Sequence, residues 1–171
     1  MPSYDGILIP VSIVHRRDIK LDGSNPTLLE GYGAYGITLD PYYDPKYLAW
    51  IERGGVLAVA HVRGGGEDGE GWHLAGKLLT KHNTWRDFIA AGQYLVDHKY
   101  TSSARLAGVG PSAGGITIGR AITDGPALRG AEPRQARSPA SMRGEPCATG
   151  RTEIPELRSP QAPAGERGAH A

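Results

Sequence analysis

The chain has 171 residues, a formal net charge of +1 and a single cysteine, Cys147. At about 150 residues per domain that length fits one domain, or part of one; near-neutral charge excludes a strongly basic nucleic-acid binder, and one cysteine excludes an internal disulfide framework or a Cys-rich zinc site. No apolar run reaches the roughly 18 residues of a membrane span, and no basic-then-apolar leader opens the chain, so a cytoplasmic protein with neither nucleic-acid nor membrane partners is the expectation.

In chain order, residues 7–14 (ILIPVSIV) are rich in β-branched side chains and predict a strand, with Pro10 marking an edge or bulge. Residues 21–26 (LDGSNP) carry turn chemistry, and 27–30 predict a short strand running into the glycine–tyrosine loop GYGAYG. Residues 46–52 have helical apolar spacing that stops before Gly54 and Gly55. Residues 56–62 (VLAVAHV) form a continuous apolar run, as expected for a strand covered on both faces. RGGGEDGEGW then predicts a loop. Asn83 or Thr84 can cap a helix reaching 94–98, with Trp85, Phe88, Ile89, Leu95 and Val96 at its apolar positions. Residues 105–109 predict another strand and 116–122 another helix. This alternation predicts an α/β fold with a mainly parallel sheet covered by helices.

The chain changes character after residue 128. Residues 1–128 carry 12 Lys and Arg against 13 Asp and Glu, whereas 129–171 carry 7 Arg, no Lys and 5 Glu. That tail has no aromatic residue, six of the 13 prolines, and only Met142, Ile154 and Leu157 as large aliphatics. So little apolar area does not offset chain entropy, and a disordered or poorly packed tail is expected.

The strongest local signal is GPSAG at 110–114, a G-x-S-x-G sequence between a predicted strand and a predicted helix. A nucleophilic serine must project from a sharp turn, small neighbours let strand and helix pass closely, and the N–H of the next residue, Ala113, can face a developing oxyanion. The same residues also fit a glycine-rich turn with no nucleophile. The glycines after Arg63 lack both the G-K-[ST] ending of a phosphate loop and G-x-G-x-x-G spacing. Glu67 and Glu70 are expected to fix that loop, His61 to be a core or edge histidine, and Trp72 and Trp85 to pack. His61 and His73 lie outside any metal-ligand motif, and no metal is expected.

Together with this motif, DG-ILIPVSIVHRRDI at 5–19, LLEGYGAYG at 28–36, RGGVLAVAHVRGGGEDGEGWH at 53–73, NTWRDFIAAGQYL at 83–95 and YTSSARLAGVGPSAGG at 100–115 occur in an order and spacing that resemble the catalytic domain of prolyl oligopeptidase family serine peptidases. The resemblance covers 5–128, making 1–128 the N-terminal part of such a domain and 129–171 a degenerate tail. It implies a partial α/β-hydrolase fold and hydrolysis of short peptides through an acyl-enzyme, with no cofactor. It implies Ser112 as nucleophile, Tyr32 and Ala113 as oxyanion donors, and Tyr35 lining the pocket for the side chain before the scissile bond. Without the resemblance Tyr32 and Tyr35 read as ordinary loop aromatics. Pro111 departs from the family's usual glycine. The aspartate and histidine of the family's triad have no counterpart after Ser112, where 129–171 hold no Asp and one His, His170, so the chain as given is expected to be inactive alone. The alternatives are a non-catalytic truncated remnant, or a fragment binding peptides or other subunits, and an esterase of the same fold.

Overall fold

The computed structural model describes residues 1–40 and 42–125. Its strands are β1 (Val11–Val14), β2 (Thr27–Gly31), β3 (Val56–Ala60) and β4 (Leu106–Val109), and its α-helices are α1 (Pro45–Glu52), α2 (Gly69–Leu74), α3 (His82–Asp97) and α4 (Gly114–Asp124). The strands form one sheet in the order β1-β3-β2-β4. β3, β2 and β4 run parallel, while β1 lies antiparallel on β3 with Val11 opposite Ala60. The sheet is therefore mainly parallel, with one antiparallel edge.

Register sorts the side chains. Thr27, Leu29, Ala58, Ala60 and Leu106 share the face that meets α3 and α4, where Phe88, Ala91, Leu95, Ile118 and Ala121 complete the core. The opposite face carries Leu28, Glu30, Leu57, Val59, Ala107 and Val109. Only α1 packs there among the described helices, held by a Trp50 indole N–H donated to the Val56 carbonyl at 2.9 Å. Leu28, Ala107 and Val109 stay half-buried as a result. No helix among the described residues is long and apolar enough to cross a membrane.

Four local expectations are corrected. The 7–14 strand starts at Val11, because Pro10 has no N–H to extend the ladder. Residues 1–9 instead fold back on themselves, the Ile9 N–H donating to the Met1 carbonyl at 2.8 Å, and Ile9 is fully buried. The glycine-rich segment expected as a loop contains α2, whose first turn carries Glu70. Asn83 and Thr84 lie inside the first turn of α3 and do not cap it: Asn83 donates its amide to the Ala75 carbonyl, and Thr84 its hydroxyl to the Arg63 carbonyl. β3 ends at Ala60, two residues short of the apolar run. Residues 129–171, with the tail expected there, lie outside the described residues.

Candidate active site

β4 ends at Val109 and α4 begins at Gly114, leaving four residues to reverse the chain. Ser112 takes the left-handed backbone that this demands, at φ 52°. For a residue with a Cβ that conformation stores roughly 1–3 kcal/mol of strain and is held only by its surroundings. Those surroundings exclude side chains on both flanks. A Cβ on Gly110 would lie 2.6 Å from the Gly114 oxygen and from Ile118 Cγ1, and one on Gly114 would lie 2.9 Å from the Gly31 oxygen. The two glycines of the motif are thus where strand, helix and the end of β2 pass each other.

The first turn of α4 uses its own carbonyls. The N–H groups of Gly114, Gly115 and Ile116 donate to Pro111, Ser112 and Ala113 at 2.9–3.1 Å. The turn forms with Pro111 in place. The N–H groups of Ser112 and Ala113 donate to nothing among the described residues. The exposed Ser112 hydroxyl likewise has no hydrogen-bond partner there. An exposed hydroxyl beside two unspent N–H groups at a helix N-terminus is a competent place for negative charge to develop.

Because β2 and β4 are parallel neighbours, their carboxyl ends share one edge, and Tyr32 follows β2 there. The Tyr32 carbonyl accepts a hydrogen bond from the Thr117 hydroxyl at 3.0 Å, and its ring Cδ2 lies 3.3 Å from where a Gly114 Cβ would sit. Ser112, Ala113 and Tyr32 are therefore brought together around the first turn of α4. Tyr35 sits three residues further on, on a tight turn closed by Ile37 N–H donating to the Ala34 carbonyl at 3.1 Å. Both central residues have positive φ, Tyr35 at 58° and Gly36 at 64°, as a type I′ turn requires. Tyr35 is 47% exposed, on the loop that carries Tyr32.

A buried charged network holds that loop. Asp87, fully buried on α3, accepts from the Arg63 backbone N–H at 3.0 Å, Nε at 2.9 Å and Nη2 at 2.6 Å, and from the Ser3 hydroxyl at 2.5 Å. Arg63 Nη1 donates to Asp5 at 2.6 Å. These bonds hold the guanidinium firmly in its charged form despite its burial, and the hydrogen bond from Arg63 holds the Asp5 carboxyl below its ordinary range. The next carbonyl, on Gly64, accepts the Gly36 N–H at 3.2 Å, and Lys81 Nζ donates to the Gly33 carbonyl at 2.6 Å. The network thus reaches the tyrosine loop through its backbone. Glu67 accepts the Leu39 N–H at 3.2 Å and lies 3.6 Å from His61 Nδ1, while Ser12 Oγ meets His61 Nε2 at 2.9 Å. Burial raises the Glu67 carboxyl, but His61 and nearby backbone N–H groups outweigh it and leave it below the ordinary range. Glu67 fixes its loop as expected, whereas exposed Glu70 makes no such contact among the described residues. Trp72 donates to the Val62 carbonyl at 3.2 Å, and Trp85 packs on the core.

Sequence reasoning missed the Arg63–Asp87 pair. One signal was available: Asp87 falls on the stripe of Thr84, Phe88, Ala91 and Leu95, a charged residue on a face otherwise built to be buried.

The model of the prolyl oligopeptidase family matches residues 41–131. A prolyl endopeptidase of Elizabethkingia meningoseptica is 44% identical over 126 residues, covering 74% of this chain and 18% of the relative. Among solved structures, a post-proline cleaving enzyme from Rickettsia typhi matches with a TM-score of 0.71 at 38% identity, over 74% of this chain and 18% of that one. Oligopeptidase B from Trypanosoma brucei, with covalently bound antipain, matches with a TM-score of 0.70 at 43% identity, over the same shares. The chain spans about a fifth of the length of the curated relatives it matches.

Proposed function

Since the chain belongs to the prolyl oligopeptidase family, we propose that it forms part of a serine peptidase that hydrolyses short peptides through Ser112. The observation that carries this reading is the left-handed Ser112 between two glycines that admit no side chain, at the end of a parallel strand and the start of a helix. Ser112 Oγ attacks the scissile carbonyl carbon, and its proton passes to a histidine oriented by an aspartate, both outside the described residues. The carbonyl oxygen becomes an oxyanion that accepts hydrogen bonds from the Ala113 N–H and the Tyr32 hydroxyl. Collapse expels the amine, which takes the proton, and leaves an ester on Ser112. Water attacks that ester by the reverse route and restores the serine. Tyr35 lines the pocket for the side chain before the scissile bond. The prolyl endopeptidase and post-proline cleaving relatives support proline at that position.

The test is hydrolysis of a chromogenic peptide cleaved after proline, by protein captured from its natural source and by its Ser112→Ala form. Ser112→Ala lowers kcat by at least about a thousandfold. Hydrolysis that survives the substitution overturns the assignment, and cleavage of esters but not peptides assigns an esterase instead.

A further inference from the structure

On the sheet face away from α3 and α4, a cavity of 170 Å³ lies between α1 and strands β1 and β3. No residue of the Ser112 turn lines it. Its floor is apolar, with Leu57 and Val59 from β3. Its charged lining residues are of one sign, Glu30, Asp40 and Asp44, and Tyr42, Tyr43 and Tyr47 line it beside them.

Glu30 is the informative residue. It is 6% exposed, and its Oε2 accepts a hydrogen bond from the Tyr47 hydroxyl at 2.9 Å. No lysine, arginine or histidine pairs with it among the described residues; Lys46, exposed on α1, is not part of the lining. Carboxylates this buried are ordinarily paired with a cation, because a neutral donor leaves most of the desolvation uncompensated. Burial raises the Glu30 carboxyl above its ordinary range, as an unmet charge requires. The Tyr42 and Tyr47 rings stand 6.0 Å apart at 53°. Such aromatic faces beside a carboxylate attract a cation by their quadrupole and offer nothing to an anion.

We infer that this cavity is a binding site for an alkylammonium or alkylguanidinium group, the chemistry of a lysine or arginine side chain. The cation docks on the free oxygen of Glu30 beside the tyrosine rings, and its methylene stem lies on Leu57 and Val59. The volume suits it, since a cavity of about 150 Å³ takes a ring the size of benzene. The inference does not rest on the peptidase reading.

The test titrates the 171-residue chain with n-butylammonium and n-butylguanidinium, and with neutral n-pentanamide, by ligand-observed NMR saturation transfer. Both cations bind, at least about tenfold more tightly than the amide. Glu30→Gln abolishes that preference, Tyr42→Ala at the exposed rim weakens the cations by about threefold, and Tyr47→Phe keeps the preference. Ser112→Ala leaves binding unchanged, which separates this result from the fate of the peptidase reading. Tighter binding of Nα-acetyl-arginine methylamide than of the free cations identifies a peptide side chain as the source, and the reverse identifies a small amine. Equal affinity for amide and cations, no saturation transfer to either cation, or an unchanged preference in Glu30→Gln overturns the inference.

Discussion

Ser112 is held in a strained backbone by two neighbours that cannot carry a Cβ. Gly110→Ala places a methyl group 2.6 Å from the Gly114 oxygen and Ile118 Cγ1, so it destabilises by about 1–3 kcal/mol, read as a lowered urea midpoint. Gly119, with nothing near its missing Cβ on the same helix, is the control: Gly119→Ala stabilises by about 0.5–1 kcal/mol through helix propensity. On the proposed mechanism Tyr32→Phe removes one oxyanion donor and lowers kcat about 10²–10³-fold with little change in KM; an unchanged kcat takes Tyr32 out of the oxyanion site. The turn at 110–114 was legible in sequence because it is local, five consecutive residues between a strand and a helix. Tyr32 and Tyr35 were singled out by resemblance only, since nothing in GYGAYG itself separates a site aromatic from a loop aromatic.

Between elements the decisive contacts join residues far apart in the chain, and there sequence reading weakened. Among the described residues, the alternation of apolar runs located every strand and three of the four α-helices. It did not place β1 antiparallel, because direction is set by which neighbour a strand meets. It did not show that Arg63 and Asp87, 24 residues apart, would meet in the interior. That pair joins the segment after β3, α3 and the N-terminal segment. Asp87→Asn leaves the Arg63 charge uncompensated in a buried site and costs about 3–5 kcal/mol. Asp5→Asn removes the more exposed partner and costs less. Equal urea midpoints for the two variants contradict this ranking. Phe88 is 1% exposed against Gly31 and Gly108, and its loss to Ala costs about 3–5 kcal/mol.

At the largest scale, the described residues present two unequal faces of one sheet. Two helices close the face behind Ser112, while the other holds a cavity with a carboxylate that no cation pairs among the described residues. Stability against pH reports that asymmetry. Asp5 is held below its ordinary range, so its contribution is complete above the ordinary aspartate pKa of about 4 and is lost as pH falls through the lower folded value. Glu30 is raised by burial, with the opposite sign: its penalty is absent below about pH 4, grows as pH rises toward the folded value and is full above it. Glu30→Gln therefore raises the urea midpoint at pH 7 and leaves it unchanged at pH 3. A variant less stable than the parent at pH 7 contradicts the unpaired state of Glu30. This cavity was not legible in sequence: Glu30 sits in a short strand run and the three tyrosines in a loop and a helix, and only the crossover from β2 through α1 to β3 assembles them.

The proposed peptide hydrolysis turns on Ser112 acting as a nucleophile. The most direct measurement treats the protein, captured from its natural source with an antibody to residues 1–125, with a fluorophosphonate and maps the adduct by peptide mass. One adduct is expected, on Ser112, absent from Ser112→Ala. An unlabelled protein, or an adduct that persists in the variant, contradicts it.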